Sequence, residues 1–240
     1  MAIPFYHDVR KESLQAANVI VPIIFELVNP HSVIDVGCGS GSFLNLFKHL
    51  GTTKILGIDG PWSRKDLVHQ FLNENEFKTV NLESEFREDE RFDLAINLEV
   101  AEHLSEDTAD IHVENLVSLS DIILFSAAIP YQGGQNHLNE QWPSYWAEKF
   151  RSYGYDFMDI LRPVLWGRKE IKSWYQQNIF LVVKRGVTLN FATLEKYKDP
   201  NIVMDLVHPD IYLNKIQTIN RVKNFNILYG IKYFIRKIKL

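Results

Sequence analysis

The chain has 240 residues, of which 46% are hydrophobic and 23% charged, so it is long and apolar enough to bury one large α/β core. Its net charge of −4 excludes the basic balance typical of nucleic-acid-binding proteins, and its single cysteine, Cys38, excludes an intrachain disulfide framework. The first residues do not read as a signal peptide, and no apolar run reaches the roughly 18 residues of a spanning helix. We therefore expect a cytoplasmic protein without a nucleic-acid partner.

Apolar runs and helical repeats alternate along the chain. Strands are predicted at 33–36, 55–58, 77–82, 92–98, 121–127, 155–166 and 178–184. Helices are predicted at 8–28 (kinked or divided by Pro22), 43–50, 64–72, in the segment ending near 119, from about 143, and at 171–177. Such alternation requires a parallel sheet with helices on both faces, and the last two strands are close enough in sequence to pair antiparallel.

We therefore predict an α/β fold with a doubly wound, mostly parallel, seven-stranded Rossmann-like sheet, an antiparallel edge strand and helices on both faces. Residues 1–30 are expected to form an N-terminal helical cap, 31–185 the core and 186–240 a C-terminal extension. Segment 221–240 carries six basic residues and no acid, and 227–238 has an apolar stripe. This pattern is typical of a basic amphipathic helix that packs on its own domain, on a second subunit or on an anionic membrane.

A glycine-rich turn follows the first strand, with Gly37, Gly39 and Gly41 spaced GxGxG. Glycine lets the backbone turn sharply and approach a ligand without an intervening Cβ atom. Dehydrogenases that bind dinucleotides use GxGxxG and place a pyrophosphate there, beside which Asp35 is unfavourable. A cationic sulfonium or ammonium group suits that acid, which favours S-adenosylmethionine over NAD. Asp59, at the end of the second strand, is placed to accept hydrogen bonds from a ribose diol.

Several motifs resemble those of class I S-adenosylmethionine-dependent methyltransferases, over about residues 30–130. VIDVGCGSG, at 33–41, resembles the first motif of that family, and Asp59 matches the ribose-binding acid after its second strand. FDLAINLEVAEHL, at 92–104, resembles the motif around its fourth strand. The resemblance implies that 31–185 is a class I methyltransferase core with S-adenosylmethionine as its cofactor.

The same resemblance implies roles on the methionine side of the cofactor. Gly37 and Gly39 would pass beneath the methionine moiety, and Asp35 would bind its amino end directly or through water. Leu98 and Glu99 would offer backbone or side-chain contacts near the same end.

On the adenine side, Asn81 and Leu82 stand where many relatives have Asp-Leu, and the Asn81 amide oxygen would accept a hydrogen bond from the adenine amino group. Trp62 either lies on the adenine or is a partly buried aromatic residue in a loop. The full set of predicted cofactor-binding residues is Asp35, Gly37, Cys38, Gly39, Asp59, Gly60, Trp62, Asn81, Leu82, Leu98, Glu99 and His103.

A hydroxyl acceptor must lose its proton as it attacks the methyl group, so a general base is expected at the carboxyl ends of the strands. His137, in the polar loop after the fifth strand, is the first candidate, and the alternative is a surface or substrate-positioning role. Glu140 is the second, with capping of the next helix as its alternative. Two candidates do not make a metal site, and we expect no metal. His103 belongs to the EVAEHL pattern of relatives with unrelated substrates, which favours a local structural role over catalysis.

The segment HLNEQWPSYWAEKFRSYGY, at 137–155, resembles methyltransferases of surface-polysaccharide and glycan biosynthesis. This implies a hydroxyl of a sugar, nucleotide sugar or glycan as acceptor. Trp142, Tyr145 and Trp146 would form a sugar-facing wall, but their helical spacing fits core packing at least as well, and we favour core for most of them. The alternatives are an N-methyltransferase for an amino sugar, a carboxyl methyltransferase, and a non-catalytic S-adenosylmethionine-binding subunit. The intact motifs disfavour the last.

Overall fold

The computed structural model describes residues 10–197 and 207–222. The chain forms two compact units, Met1–Ile202 and Val203–Leu240. In the second unit the described residues are helical from residue 209 onward.

The first unit is built around a seven-stranded sheet. Its strands are β1 (Ser32–Val36), β2 (Lys54–Asp59), β3 (Phe77–Thr79), β4 (Leu94–Leu98), β5 (Ile122–Ser126), β6 (Tyr155–Met158) and β7 (Phe180–Lys184). Their spatial order is β3-β2-β1-β4-β5-β7-β6. The first five strands run parallel, whereas β7 lies antiparallel to both β5 and β6. The predicted sheet, including its antiparallel edge pair, is confirmed.

Helices cover both faces of this sheet. They are α1 (Arg10–Val28), α2 (Ser42–Leu50), α3 (Lys65–Val68), α4 (Ala109–Leu119), α5 (Pro143–Ser152), α6 (Arg162–Leu165) and α7 (Ser173–Asn178). Val33 of β1 packs in one apolar cluster with α1 and α2, whereas Ile34 and Val36 pack in another with α4 and α5. Because successive strand residues point to opposite faces, the two clusters are the two sides of the core.

Three predicted boundaries were wrong by three residues or more. Strand β6 ends at Met158 rather than 166, and Pro163, which cannot donate to a sheet ladder, lies in the first turn of α6. Strand β3 ends at Thr79 rather than 82, where a turn follows. Helix α3 covers Lys65–Val68 rather than 64–72. Helix α1 continues through Pro22 as one helix, which is one of the two predicted possibilities.

The predicted C-terminal amphipathic helix at 227–238 lies outside the described residues, as does most of segment 221–240. Its contact with a membrane or a second subunit stays a prediction. Among the helices of residues 10–197 and 207–222, none combines the length and the apolar character that crossing a bilayer requires.

Candidate active site

The glycine turn is held against the end of β2. The N–H groups of Gly37 and Cys38 donate to the carbonyl oxygen of Ile58, at 2.7 and 3.1 Å. Gly37 has a φ of +83°, and a Cβ atom there would lie 2.4 Å from Cγ2 of Val100. Only glycine therefore fits at this position without strain. The Cys38 side chain is buried and burial raises the pKa of its thiol, so it is poorly suited to act as a nucleophile.

Asp59 joins the glycine turn to the end of β2. Its Oδ2 atom accepts a hydrogen bond from the Gly39 N–H at 2.8 Å, and Oδ1 accepts one from the Gly60 N–H at 2.6 Å. Burial raises the pKa of this carboxyl to about 6, although the bonds from Gly39, Gly60 and the Trp62 side chain lower it. The Trp62 ring covers Gly60, whose Cβ atom would lie 2.2 Å from a ring carbon.

Several acidic groups lie near one another beside the glycine turn. Burial raises the pKa of Asp35 well above its usual value, and the negative charge of Asp59 adds to the effect. Burial also raises the pKa of the Tyr175 hydroxyl, with further increases from the charges of Glu99, Asp35 and Glu102. The acids therefore lie close enough to share one electrostatic environment. That environment favours a cation, as the sulfonium prediction requires.

Glu99 directly follows the end of β4. Its backbone has a φ of +55°, and its N–H donates to the carbonyl oxygen of Ser126 at 3.0 Å. The carboxylate accepts hydrogen bonds from Asn178 Nδ2 at 3.2 Å and from Gln132 Nε2 at 3.3 Å. Burial raises its pKa, while these bonds lower it. Sequence reasoning missed Asn178 and Gln132, because a polar residue in a polar run gives no sign of a partner 79 or 33 positions away.

The adenine-side candidates lie in the turn after β3. Asn81 is exposed, its Oδ1 atom accepts the Glu83 N–H at 3.2 Å, and its Nδ2 atom donates to Ser84 Oγ at 2.7 Å. Leu82 is buried, and Leu98 is half-buried at the end of β4. The Asn81 amide thus shapes the turn, and its role toward adenine stays a prediction.

The two candidates for catalysis lie together in the loop after β5. Nδ1 of His137 is 2.8 Å from Oε1 of Glu140. The Glu140 carboxylate also accepts the N–H groups of Tyr131 and Gly133, each at 2.7 Å. The proposed capping role of Glu140 was wrong, because α5 begins after Trp142 without a side-chain cap. Glu140 instead fixes the loop and the His137 ring.

A second histidine and a buried acid face the same ring. The rings of His103 and His137 meet edge to face, with 4.9 Å between their centroids. Glu102 is fully buried, and its carbonyl oxygen accepts the N–H groups of Leu138 and Asn139 at 2.8 and 3.0 Å. The EVAEHL segment is therefore tied directly to the loop that carries His137. Sequence reasoning did not identify Glu102 as part of the site.

The aromatic residues of α5 mainly build the core. Trp146 and Phe150 are buried and pack against Phe125, with ring centroids 5.5 and 5.3 Å apart. Trp142 and Tyr145 are half-buried. The preference for core packing is confirmed for Trp146, which is thus unavailable as part of a sugar-facing wall.

Comparison with known proteins decides the family. A family model described as a methyltransferase domain matches residues 10–178. The chain belongs to this methyltransferase family. The match confirms the methyltransferase family that the sequence motifs predicted.

Individual relatives of this methyltransferase are distant. The ubiquinone biosynthesis O-methyltransferase of Bartonella tribocorum is 23% identical over 175 residues, which cover 66% of this chain and 64% of that protein. An O-methyltransferase family protein from Burkholderia thailandensis superposes with a TM-score of 0.52 at 14% identity, over 74% of this chain and 60% of the other. DesVI from Streptomyces venezuelae superposes with a TM-score of 0.53 at 11% identity, over 73% of this chain and 93% of the other. The chain thus spans less than two thirds of the first two proteins, and the structural similarity shows a shared fold.

Proposed function

We propose that this methyltransferase transfers the methyl group of S-adenosylmethionine to a hydroxyl oxygen of a small molecule. A lone pair of that oxygen forms the new O–C bond as the C–S bond breaks, and sulfur keeps the electron pair. S-adenosylhomocysteine leaves, and the hydroxyl proton is lost. Alignment of oxygen, methyl carbon and sulfur supplies much of the acceleration.

The observation that carries the proposal is the pairing of His137 with Glu140 beside the ends of β4 and β5. A hydroxyl differs from a carboxylate or thiolate acceptor because its proton must be removed, and a fixed imidazole is well suited to promote that loss. The His137 side chain is only 12% exposed, and its 2.8 Å contact with the Glu140 carboxylate orients the ring. The O-methyltransferase names of two similar proteins support the same reaction type.

The acceptor class is a finer part of the proposal. We retain a hydroxyl of a sugar, nucleotide sugar or glycan, which rests on the resemblance of segment 137–155. One similar protein is named for ubiquinone biosynthesis, so we consider an aromatic hydroxyl as the second acceptor class.

The test has two steps on the full chain. Calorimetric titration with S-adenosylmethionine and S-adenosylhomocysteine measures cofactor binding. Incubation with methyl-labelled cofactor and a panel of sugar nucleotides, glycans, catechols, amino sugars and carboxylic acids then identifies the acceptor. We expect an O-methylated product. An N-methyl or ester product would replace the proposal with the corresponding alternative, and cofactor binding without any product would favour a non-catalytic subunit.

His137→Asn tests whether the acceptor side works as proposed. We expect turnover to fall by at least about 100-fold, because proton removal loses its promoter, while cofactor affinity stays unchanged. The matched control is His49→Asn, since His49 is exposed at the end of α2. Equal turnover of both variants would remove His137 from the reaction.

A further inference from the structure

Three side chains meet beside the predicted methyl-transfer position. One donor atom each from Glu102, His103 and His137 lies within 4.8 Å of the other two. Glu102 and His103 belong to the turn after β4, and His137 to the loop after β5. These two segments are held together by the bonds from Leu138 and Asn139 to the Glu102 carbonyl oxygen.

The burial of the Glu102 carboxyl is only weakly compensated. The residue is 0% exposed, and neither carboxyl oxygen has a hydrogen-bond partner of normal geometry within the described residues, although the backbone N–H groups of Glu102 and Ala128 favour its charged form. A buried carboxylate with so little compensation is strongly unfavourable unless a charge of opposite sign neutralises it. Two imidazoles beside it supply the nitrogen donors that a metal cation needs.

We propose that Glu102, His103 and His137 bind one divalent first-row transition-metal cation. Imidazole and carboxylate together suit Mn²⁺, Fe²⁺, Co²⁺ or Zn²⁺. Two ligands on opposite sides of such an ion are about 4.2 Å apart, since each bond is about 2.1 Å. Neighbouring ligands on such an ion are only about 3.0–3.4 Å apart, so donor atoms spread over up to 4.8 Å need side-chain shifts of about an ångström or less. Three protein ligands leave further coordination positions open.

The surroundings of His137 support this assignment independently. A histidine that binds a metal through one nitrogen commonly donates its other N–H to a carboxylate. Nδ1 of His137 makes this contact with Glu140, 2.8 Å away. The bonds from Tyr131 and Gly133 fix Glu140 in turn, which leaves Nε2 of His137 as the metal donor. By contrast, the Glu99 carboxylate is already occupied by Asn178 and Gln132.

The role of the cation rests on the proposed function. When the acceptor hydroxyl occupies an open coordination position, the cation lowers the hydroxyl pKa, as it does for bound water. The proton then leaves to solvent, and the oxygen attacks the methyl group. His137 thus promotes proton loss by holding the cation rather than by taking the proton itself. Our expectation of no metal considered only His137 and Glu140, whereas the fold brings Glu102 and His103 to the same point.

The test begins with metal binding, without any acceptor. Full-length protein is dialysed against a chelator and then titrated with Mn²⁺, whose unbound fraction is read by electron paramagnetic resonance, with Zn²⁺ as competitor. We expect one Mn²⁺ per chain, displaced by Zn²⁺. Glu102→Gln and His137→Asn should weaken binding at least about 100-fold, more than loss of an outer-shell partner does.

Matched controls are Glu106→Gln and His49→Asn, because both side chains are exposed and neither belongs to the cluster. Glu102→Gln replaces a weakly compensated carboxyl by a neutral group of the same shape, so metal-free variant protein should melt at or above the wild-type temperature. It should lose only the rise in melting temperature that Mn²⁺ gives the wild type. Failure of wild-type protein to bind Mn²⁺ or Zn²⁺ below millimolar concentration, or equal binding by Glu102→Gln, would overturn the metal site.

A second arm separates this inference from the proposed function. We expect chelator-treated protein to lose hydroxyl methylation, to recover it with Mn²⁺, and to bind S-adenosylhomocysteine unchanged throughout. Full turnover without metal would overturn the role of the cation and leave the hydroxyl acceptor intact. Metal bound at these residues, with methyl transfer only to nitrogen or carboxylate, would overturn the proposed function and the role of the cation but leave the metal site standing.

Discussion

Nδ1 of His137 lies 2.8 Å from Oε1 of Glu140, a contact in which the ring N–H donates to the carboxylate. The carboxylate itself is fixed by backbone N–H groups of Tyr131 and Gly133. The ring therefore takes its orientation and its tautomer from the loop, and Nε2 is its remaining nitrogen. Whether that nitrogen binds a proton or a cation, its position depends on Glu140.

Glu140→Gln should lower turnover about 10- to 100-fold, the range expected for a partner that orients a functional histidine. The amide has only one oxygen, whereas Glu140 uses two to accept from Tyr131, Gly133 and His137. At least one N–H loses its acceptor, and the ring is less well fixed. Steady-state kinetics should show the loss in kcat, and calorimetry should show unchanged cofactor affinity.

The control for this variant is Glu148→Gln. Glu148 is an exposed carboxylate of α5, so its replacement removes the same charge without touching the loop. If both variants kept wild-type kcat, Glu140 would have no positioning role.

The cofactor half of the site could be predicted because its parts are close together in the sequence. Gly39 and Asp59 are 20 residues apart in one strand–helix–strand unit, whose right-handed connection brings the two strand ends together. The acceptor half lacks such a rule. His103 and His137 are joined through a connection that contains α4 and β5 and then an irregular loop, and only the folded loop places one ring on the other.

Glu102 illustrates why sequence patterns did not predict the acceptor half of the site. In sequence it is one acid among many, and EVAEHL is expected to play a local structural role. Its burial and the absence of a hydrogen-bond partner of normal geometry for its oxygens follow from tertiary packing against the loop at Leu138 and Asn139. The sequence shows which residues are acidic or aromatic, but local patterns do not predict which of them the fold buries.

Gly37→Ala should weaken cofactor binding by at least about tenfold and lower stability, because the left-handed φ costs about 1–3 kcal/mol for other residues. The new Cβ atom would also meet Val100 Cγ2 at 2.4 Å and displace the turn. Calorimetric titration with S-adenosylhomocysteine and thermal melting measure the two effects.

Two further variants separate the causes of that loss. Gly51 also has a positive φ, of +114°, but a Cβ atom there meets nothing within 4 Å, so Gly51→Ala should lower stability without affecting cofactor binding. Adding Val100→Ala to Gly37→Ala removes the clash alone and should restore part of the affinity. Failure of this rescue would show that Val100 does not explain the requirement for glycine.

His112 should make the fold sensitive to acid. Burial lowers its pKa to about 4, and its Nε2 atom lies 3.1 Å from Asn97 Oδ1 inside the core. The unfolded chain binds the proton near pH 6.5, so this contribution to stability is complete above pH 6.5 and lost as the pH falls toward 4. The loss amounts to about 3 kcal/mol, from about 1.4 kcal/mol per pKa unit.

The measurement is the free energy of unfolding of wild type and His112→Gln at pH 7 and pH 4.5. Asp59 has a raised pKa and so contributes with the opposite sign, stabilising the fold as the pH falls from about 6 to 4. Its effect cancels in the difference between the two proteins. We expect the wild-type advantage at pH 7 to shrink at pH 4.5, and a constant difference would contradict the buried neutral His112.

Asp59 should make cofactor affinity depend on pH. Its pKa is about 6 in the cofactor-free protein, and a ribose diol needs the ionised carboxylate as acceptor. Below pH 6 the protein must release a proton to bind, so the dissociation constant for S-adenosylhomocysteine should rise by up to about tenfold per pH unit. Asp59→Asn should weaken binding at pH 7 about 10- to 100-fold and flatten the profile, leaving only the contribution of Asp35.

Asp93→Asn is the control, because Asp93 also accepts two backbone N–H groups but lies at the opposite end of β1 and β4. An unchanged profile in Asp59→Asn would assign the pH dependence to Asp35 and remove Asp59 from ribose binding.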